Sequence, residues 1–348
     1  MPIVAEHFES VVGVDTHAAT HTLAVVTAAS GAERARATFP TSAAGLARAL
    51  AWIQGHAGPT SLVVIEGAGS YGAGLLERVS AAGMPTAEAA AMPTRRGIGK
   101  NDDLDAVRIA RSVLAVDVER LRRPRSEQGP RVAARVLVVA REQMAAERTR
   151  TINALTALLR SIDLGVDVRR ALTASQITAI TAWRSREEPD WLAVCRGEAV
   201  RLARQIRDLD HALVVNRAQL DQLVAAQAPE LTDLPGVGSV VAAAVYVAWS
   251  HPGRVRSEAA FASLAGTCPI PASSGNTQRY RLNRGGDRRL NRVLTTIVLV
   301  RMRIDPDTKT YVERRRAEGR TTKEIMRSLK RYVTRQLFRT LATAHPAT

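Results

Sequence analysis

The chain has 348 residues, 46% hydrophobic and 24% charged, the make-up of a globular protein with room for two or three domains. Its two cysteines, Cys195 and Cys268, exclude a disulfide framework or thiolate metal site, and no uninterrupted apolar run reaches the roughly 18 residues of a membrane span. The formal charge of +16 and the pI near 11.1 point to a polyanionic partner, nucleic acid before membrane.

The excess charge is local: residues 270–348 hold 19 Arg and Lys against 6 Asp and Glu. Only 4% of residues are aromatic, so binding must rest on charge and backbone contacts more than on stacking. The N-terminus shows no basic stretch followed by a long apolar run, and a reducing cytoplasm is the expected setting.

In chain order, residues 10–40 read as three strands: Val11, Val12 and Val14 leading to Asp15, then Thr22–Val26, then Ala35–Phe39. Ser42 is placed to cap a helix through Trp52, with Leu46, Leu50 and Ile53 at helical spacing. The apolar run 62–65 suits a buried central strand and ends at Glu66. Residues 67–72 turn the chain, a helix follows to about Ala82, and a weak strand spans 86–89. Past a loop with Arg95, Arg96 and Lys100, a helix begins at about Asp102. This order predicts an α/β layer with a mixed sheet.

Asp15 and Glu66 then fall at the carboxyl ends of two buried strands, where open sheets collect ligands. Asp102 and Asp105 stand three apart on one helix face, while Asp103 points elsewhere. Acids at a helix start are ordinary by themselves. Four at one sheet edge repel unless cations neutralise them, and two divalent ions about 4 Å apart are the usual solution in phosphodiester chemistry.

After Arg122-Arg123-Pro124-Arg125 and a hinge at 126–130, one long amphipathic helix runs from Arg131 to about Ile162, and another from about Glu198 to Val224. Neither buries its apolar stripe alone, so they are expected to pair as a coiled-coil arm or an oligomer contact. Shorter helices are expected between them. Leu234-Pro235-Gly236-Val237-Gly238 precedes an apolar helix (240–249) and resembles the turn of helix-hairpin-helix DNA binders, where glycines let backbone N–H groups approach a phosphate. A short helix at 258–268 leads to a loop with Ser273 and Ser274, either of which can bind phosphate or act as a nucleophile. Arg279, Arg281, Arg284, Arg288, Arg289 and Arg292 follow around Gly285-Gly286, then a basic helical tail, as expected of a phosphate clamp.

Taken together, Val12–His21, Ile65–Gly72 and Lys100–Ala106 resemble the three N-terminal motifs of the insertion-sequence family 110 transposases. Leu234–Gly238, Pro269–Gly275 and Gly286–Asn291 resemble that family's C-terminal domain. The resemblance implies a RuvC-like, RNase H-type domain over 1–125, a helical coiled-coil arm over 126–228, and a mainly α C-terminal transposase domain over 229–348. It further implies a DEDD tetrad of Asp15, Glu66, Asp102 and Asp105 holding Mg²⁺, a nucleophilic serine at Ser274, and cutting and rejoining of target and donor DNA under a structured bridge RNA. A tetramer in which one protomer's tetrad meets another's serine, acting at a bacterial nucleoid, completes the implied picture. Two other readings of the residues are a Holliday-junction-type endonuclease working with metal-activated water, and a nucleic-acid-binding protein with a decayed site.

Overall fold

The computed structural model describes residues 2–90, 102–125, 129–272, 280–281, 283 and 285–346, without the side chains of 102–104 and 280. The described chain divides into two compact units, one of residues 1–128, 249–260 and 345–348, the other of 129–248 and 261–344.

In the first unit a short helix α1 (Val4–His7) precedes strands β1 (Ser10–Thr16), β2 (Thr20–Thr27) and β3 (Glu33–Pro40). Helix α2 (Ala43–Ala57), strand β4 (Ser61–Ile65), helix α3 (Ala73–Ala81), strand β5 (Thr86–Glu88) and helix α4 (Asp102–Arg111) complete it. The strands form one mixed sheet in the order β3-β2-β1-β4-β5. Its first three strands pair antiparallel, whereas β1–β4 and β4–β5 pair parallel.

Strand side chains alternate between faces, and both faces here are covered. Val11, Ala24, Val26, Leu62 and Val64 pack with Ala106, Ile109 and Ala110 of α4. Val12, Val14, Leu23, Val25, Val63 and Ile65 pack with Leu46 and Ile53 of α2 and Leu75 and Val79 of α3. The continuous apolar runs of β1 and β4 follow from burial on both sides. Ser42 caps α2 as expected, its hydroxyl accepting from the Gly45 N–H at 3.2 Å.

The second unit opens with α5 (Pro130–Ser161), α6 (Ala174–Thr181) and α7 (Asp190–Gln227). Helices α5 and α7 pack antiparallel: Arg148 pairs with Asp210, Gln205 Nε2 donates to Glu147 at 3.2 Å, and Asn216 Nδ2 donates to the Leu137 carbonyl at 3.0 Å. At the far end of the pair, Leu155, Leu159, Ile177, Ile180, Leu202 and Ile206 share a core with α6. Helix α7 begins earlier than its apolar pattern predicts, at Asp190 after Pro189. Its first turns carry exposed Trp191 and Val194, which blur the stripe.

Helices α8 (Ser239–Trp249) and α9 (Glu258–Leu264) follow. Next come a minimal hairpin β6 (Ile270–Pro271) and β7 (Tyr280–Arg281), then α10 (Arg288–Ile304), α11 (Pro306–Ala317) and α12 (Thr322–Ala344). Asp287 and Asp305 cap α10 and α11, accepting from the Leu290 and Thr308 N–H groups at 3.0 and 2.9 Å. The described residues thus join a mixed α/β region to a mainly helical C-terminal region. Among them, no helix is long and apolar enough to cross a membrane.

Candidate active site

Parallel pairing sets Val14 opposite Ile65, and the next residue continues the ladder, with Glu66 N–H donating to the Val14 carbonyl at 3.0 Å. Asp15 and Glu66 therefore leave adjacent strands at the same end of the sheet. Thr16 Oγ1 donates to the Glu66 carbonyl at 2.9 Å and ties the two strand ends together. Gly67 then turns the chain at φ +58°, where a Cβ would lie 2.9 Å from Ser70 Oγ and 3.1 Å from Thr16 Oγ1.

The third acid comes from α4. Gly13 leaves room for this helix to lie directly on β1, and the same contact brings the first turns of α4 to the acidic edge. Asp105 is half-buried there and accepts from Arg108 Nη1 at 2.8 Å. Asp102 is the first residue of the helix; its side chain lies outside the described residues.

Asp15 is buried, and its Oδ2 lies 3.1 Å from His17 Nε2. Burial pushes the Glu66 carboxyl above its ordinary value, and the negative charges of Asp15 and Asp105 push it further, against smaller opposing effects of His17 and Arg108. The structure thus brings two other predicted acids, Asp15 and Asp105, within electrostatic reach of Glu66. Among the described residues no three His, Cys, Asp or Glu side chains form a ready metal cage. The donor chemistry nevertheless suits a hard divalent ion, being all carboxylate oxygen, and the raised Glu66 carboxyl marks negative charge that a cation would relieve.

His17 and Arg108 are the two neighbours that the sequence reading missed. Both had a signal: His17 stands two residues after Asp15, just past the end of β1, and Arg108 three after Asp105 on a helix.

In the second unit, Gly236 adopts φ +77°, and a Cβ there would lie 3.1 Å from the Ile297 carbonyl oxygen. Gly238 faces open space at the start of α8, beside a cavity of about 580 Å³ that Ser239, Arg217 and Thr296 also line. Arg281 and Arg288 are exposed. Arg289 instead forks onto Glu142 of α5 at 3.0 and 2.8 Å, and Arg292 Nη1 reaches the same carboxylate at 3.3 Å. Ser273, Ser274, Arg279 and Arg284 lie outside the described residues.

Two family models match this chain. A transposase model of the DEDD IS110 type covers residues 12–163, which include Asp15, Glu66, Asp102 and Asp105. A second, described as transposase IS116/IS110/IS902 family, covers 228–313. The chain is 27% identical over 301 residues to the insertion element IS900 uncharacterized 42 kDa protein of Mycobacterium paratuberculosis, covering 73% of this chain and 75% of that protein. It is 35% identical over 117 residues to the insertion element IS110 uncharacterized 43.6 kDa protein of Streptomyces coelicolor, covering 33% of this chain and 29% of that protein. Motifs in both regions, matched in order and shared with insertion-element proteins, make this chain an enzyme of the IS110 family of transposases, with DNA as its substrate.

Proposed function

We propose that this transposase cuts and rejoins DNA by attack of the Ser274 hydroxyl on a phosphodiester, at a site completed by Asp15, Glu66, Asp102 and Asp105, and that a structured bridge RNA selects target and donor DNA. The observation that carries this reading is that Asp15 and Glu66 leave adjacent parallel strands at one end of the sheet, where the close contact of Gly13 with α4 brings the helix that carries Asp105. Antiparallel pairing through the first three strands and parallel pairing from β1 to β5 support a RuvC-like, RNase H-type domain over 1–125. The antiparallel α5–α7 pair supports a coiled-coil arm over 126–228, and the Gly236–Gly238 turn before α8 supports a helix-hairpin-helix-like element in a transposase domain over 229–348.

In this mechanism the four acids would hold divalent metal, two Mg²⁺ ions in our reading. When bound, Mg²⁺ polarises the scissile phosphate and stabilises charge on the departing 3′ oxygen. Asp15 and Glu66 are fixed by their strands, so their geometry is set before DNA arrives, which is what an electrostatic site requires. Ser274 Oγ loses its proton and bonds to phosphorus as the bond to the 3′ oxygen breaks, and that oxygen takes up a proton and leaves as a free 3′ hydroxyl. The phosphoserine link keeps the phosphoester energy for rejoining, which hydrolysis would discard. Arg281 and Arg288, both exposed, hold neighbouring phosphates, with Arg279 and Arg284 in the same basic run. A tetramer would let the acids of one protomer serve the serine of another.

Incubating Ser274→Ala and Asp15→Asn with element-end DNA and Mg²⁺ tests the chemistry. Ser274→Ala should lose the covalent protein–DNA product, and Asp15→Asn should lose all cleavage. Undiminished cleavage by Ser274→Ala would remove the serine and leave a hydrolytic nuclease. Unchanged activity in Asp15→Asn would remove the carboxylate site. Sequencing RNA that copurifies with the protein tests the guide, and a solution mass tests the tetramer.

A further inference from the structure

We propose that the sheet-bearing unit has a DNA-backbone groove of its own, built from two chain segments far apart in sequence, Arg122–Arg125 and His251–Arg256. The first runs beside the sheet edge, with the Glu88 N–H donating to the Arg122 carbonyl at 2.8 Å, and Pro124 restricts its path. The second belongs to the same compact unit; its Arg256 Nη1 donates to the Arg120 carbonyl, two residues before the first segment, at 3.5 Å, and its His251 lines one cavity with Arg123 and Arg125. Between Arg123, Arg125 and His251 on one side and α3 on the other lies a cavity of about 630 Å³. That volume falls within the roughly 300–1,000 Å³ of small-molecule sites and is enough for a nucleotide unit.

The lining suits a phosphodiester. Ser80 and Thr86 offer hydroxyl donors, and Glu77 is its one acid among the described residues. Three other arginines of this unit are paired with acids: Arg36 with Glu33, Arg108 with Asp105 and Arg120 with Asp117. Arg122 and Arg123 are exposed, and among the described residues neither is paired with a carboxylate. Arg123 lines the cavity and Arg122 precedes it in the chain, so the two neighbouring cations repel each other and would gain from an anion beside them. The groove also leads somewhere: α3, which forms its wall, begins just after the turn that follows Glu66. A strand lying along α3 therefore runs toward the acidic edge. That direction favours DNA, the molecule being cut. The inference rests only on the family's DNA substrate, and neither serine chemistry nor a guide RNA is needed for it.

The test measures binding of the full chain to a labelled random-sequence duplex between about 50 and 200 mM salt, where each lost phosphate contact lowers the log–log slope by about 0.9. The Arg122→Ala/Arg123→Ala variant should lower the slope by about 2, and Arg122→Lys/Arg123→Lys should restore most of it. Arg34→Ala/Arg48→Ala, an equal charge loss at exposed positions elsewhere on the unit, should leave the slope unchanged. Equal slope changes in the two alanine pairs, or none in the first, would overturn the groove. A loss confined to a structured RNA probe, with duplex binding intact, would overturn its assignment to DNA.

Discussion

Gly13 of β1 lies so close to Ala106 of α4 that a Cβ on the glycine would stand 2.0 Å from the Ala106 carbonyl oxygen. The same Cβ would lie 2.6 Å from the Ala110 nitrogen, and neither atom belongs to a side chain that can swing away. This contact joins the strand that ends in Asp15 to the helix that carries Asp102 and Asp105. Gly13→Ala should therefore cost about 1–3 kcal/mol or more as α4 is forced off the sheet, and should lower activity beyond the loss of stability. Gly55→Ala is the matched control, because it sits in α2 with nothing within 4 Å of its Cβ; it should gain about 0.5–1 kcal/mol. Thermal melts of the two variants decide the point, and a wild-type melting temperature for Gly13→Ala would show that the helix has room to move.

The places of Asp15, Glu66 and Asp102 on their elements were readable in the sequence because each closes or opens a pattern. Asp15 and Glu66 end apolar runs that only a doubly covered strand requires, and Asp102 starts a helix with its apolar stripe in view. The β6–β7 hairpin gave no such signal, since two residues per strand are too few for alternation to register. The approach of His251–Arg256 to Arg120–Arg125 was hidden for another reason: periodicity reports which face of an element is buried, not which distant segment passes its exposed end. Pairing shares that limit, and nothing in the spacing of Arg289 assigns it to Glu142.

The antiparallel α5–α7 pair depends on a buried amide. Asn216 is 4% exposed, donates to the Leu137 carbonyl at 3.0 Å, and sits beside Arg141, whose Nη1 donates to the Leu213 carbonyl at 2.9 Å. Asn216→Ala removes that bond and leaves a small void, so it should cost about 1–3 kcal/mol in urea unfolding. Asn216→Asp should cost at least as much, because it replaces the donor that faces a carbonyl with an acceptor. If both variants unfold at the wild-type urea midpoint, the amide contributes nothing to the pairing.

Glu66 gives the acidic edge a pH signature. Its carboxyl is raised in the folded protein above the ordinary 4.5, by burial first and then by Asp15 and Asp105. Between the unfolded and folded values the native state holds more protons than the unfolded one, so stability falls as pH rises through that window. Glu66→Gln should abolish this fall and raise the melting temperature of the metal-free protein at neutral pH. Millimolar Mg²⁺ should stabilise the wild type more than the variant, since an ion that binds only the native state shifts unfolding by mass action. Melts across pH 4 to 8, with and without Mg²⁺, measure both effects; a variant with the wild-type pH profile would show that Glu66 is not coupled to its neighbours.

Neighbouring arginines at the start of α10 should separate binding from folding. Arg288 is exposed, whereas Arg289 is held bidentate by Glu142 at 3.0 and 2.8 Å. Arg288→Ala should leave the melting temperature unchanged and reduce the salt slope of DNA binding by about 0.9, one phosphate's share. Arg289→Ala breaks a partly exposed fork between α10 and α5, so its first effect should be a modest loss of stability, up to about 1 kcal/mol. Glu142→Gln provides the third arm: it weakens the hold on Arg289 and Arg292 and removes one negative charge, so DNA affinity should rise while stability falls. The opposite order, with Arg289→Ala flattening the salt slope and Arg288→Ala silent, would mean that DNA displaces Glu142 from the fork.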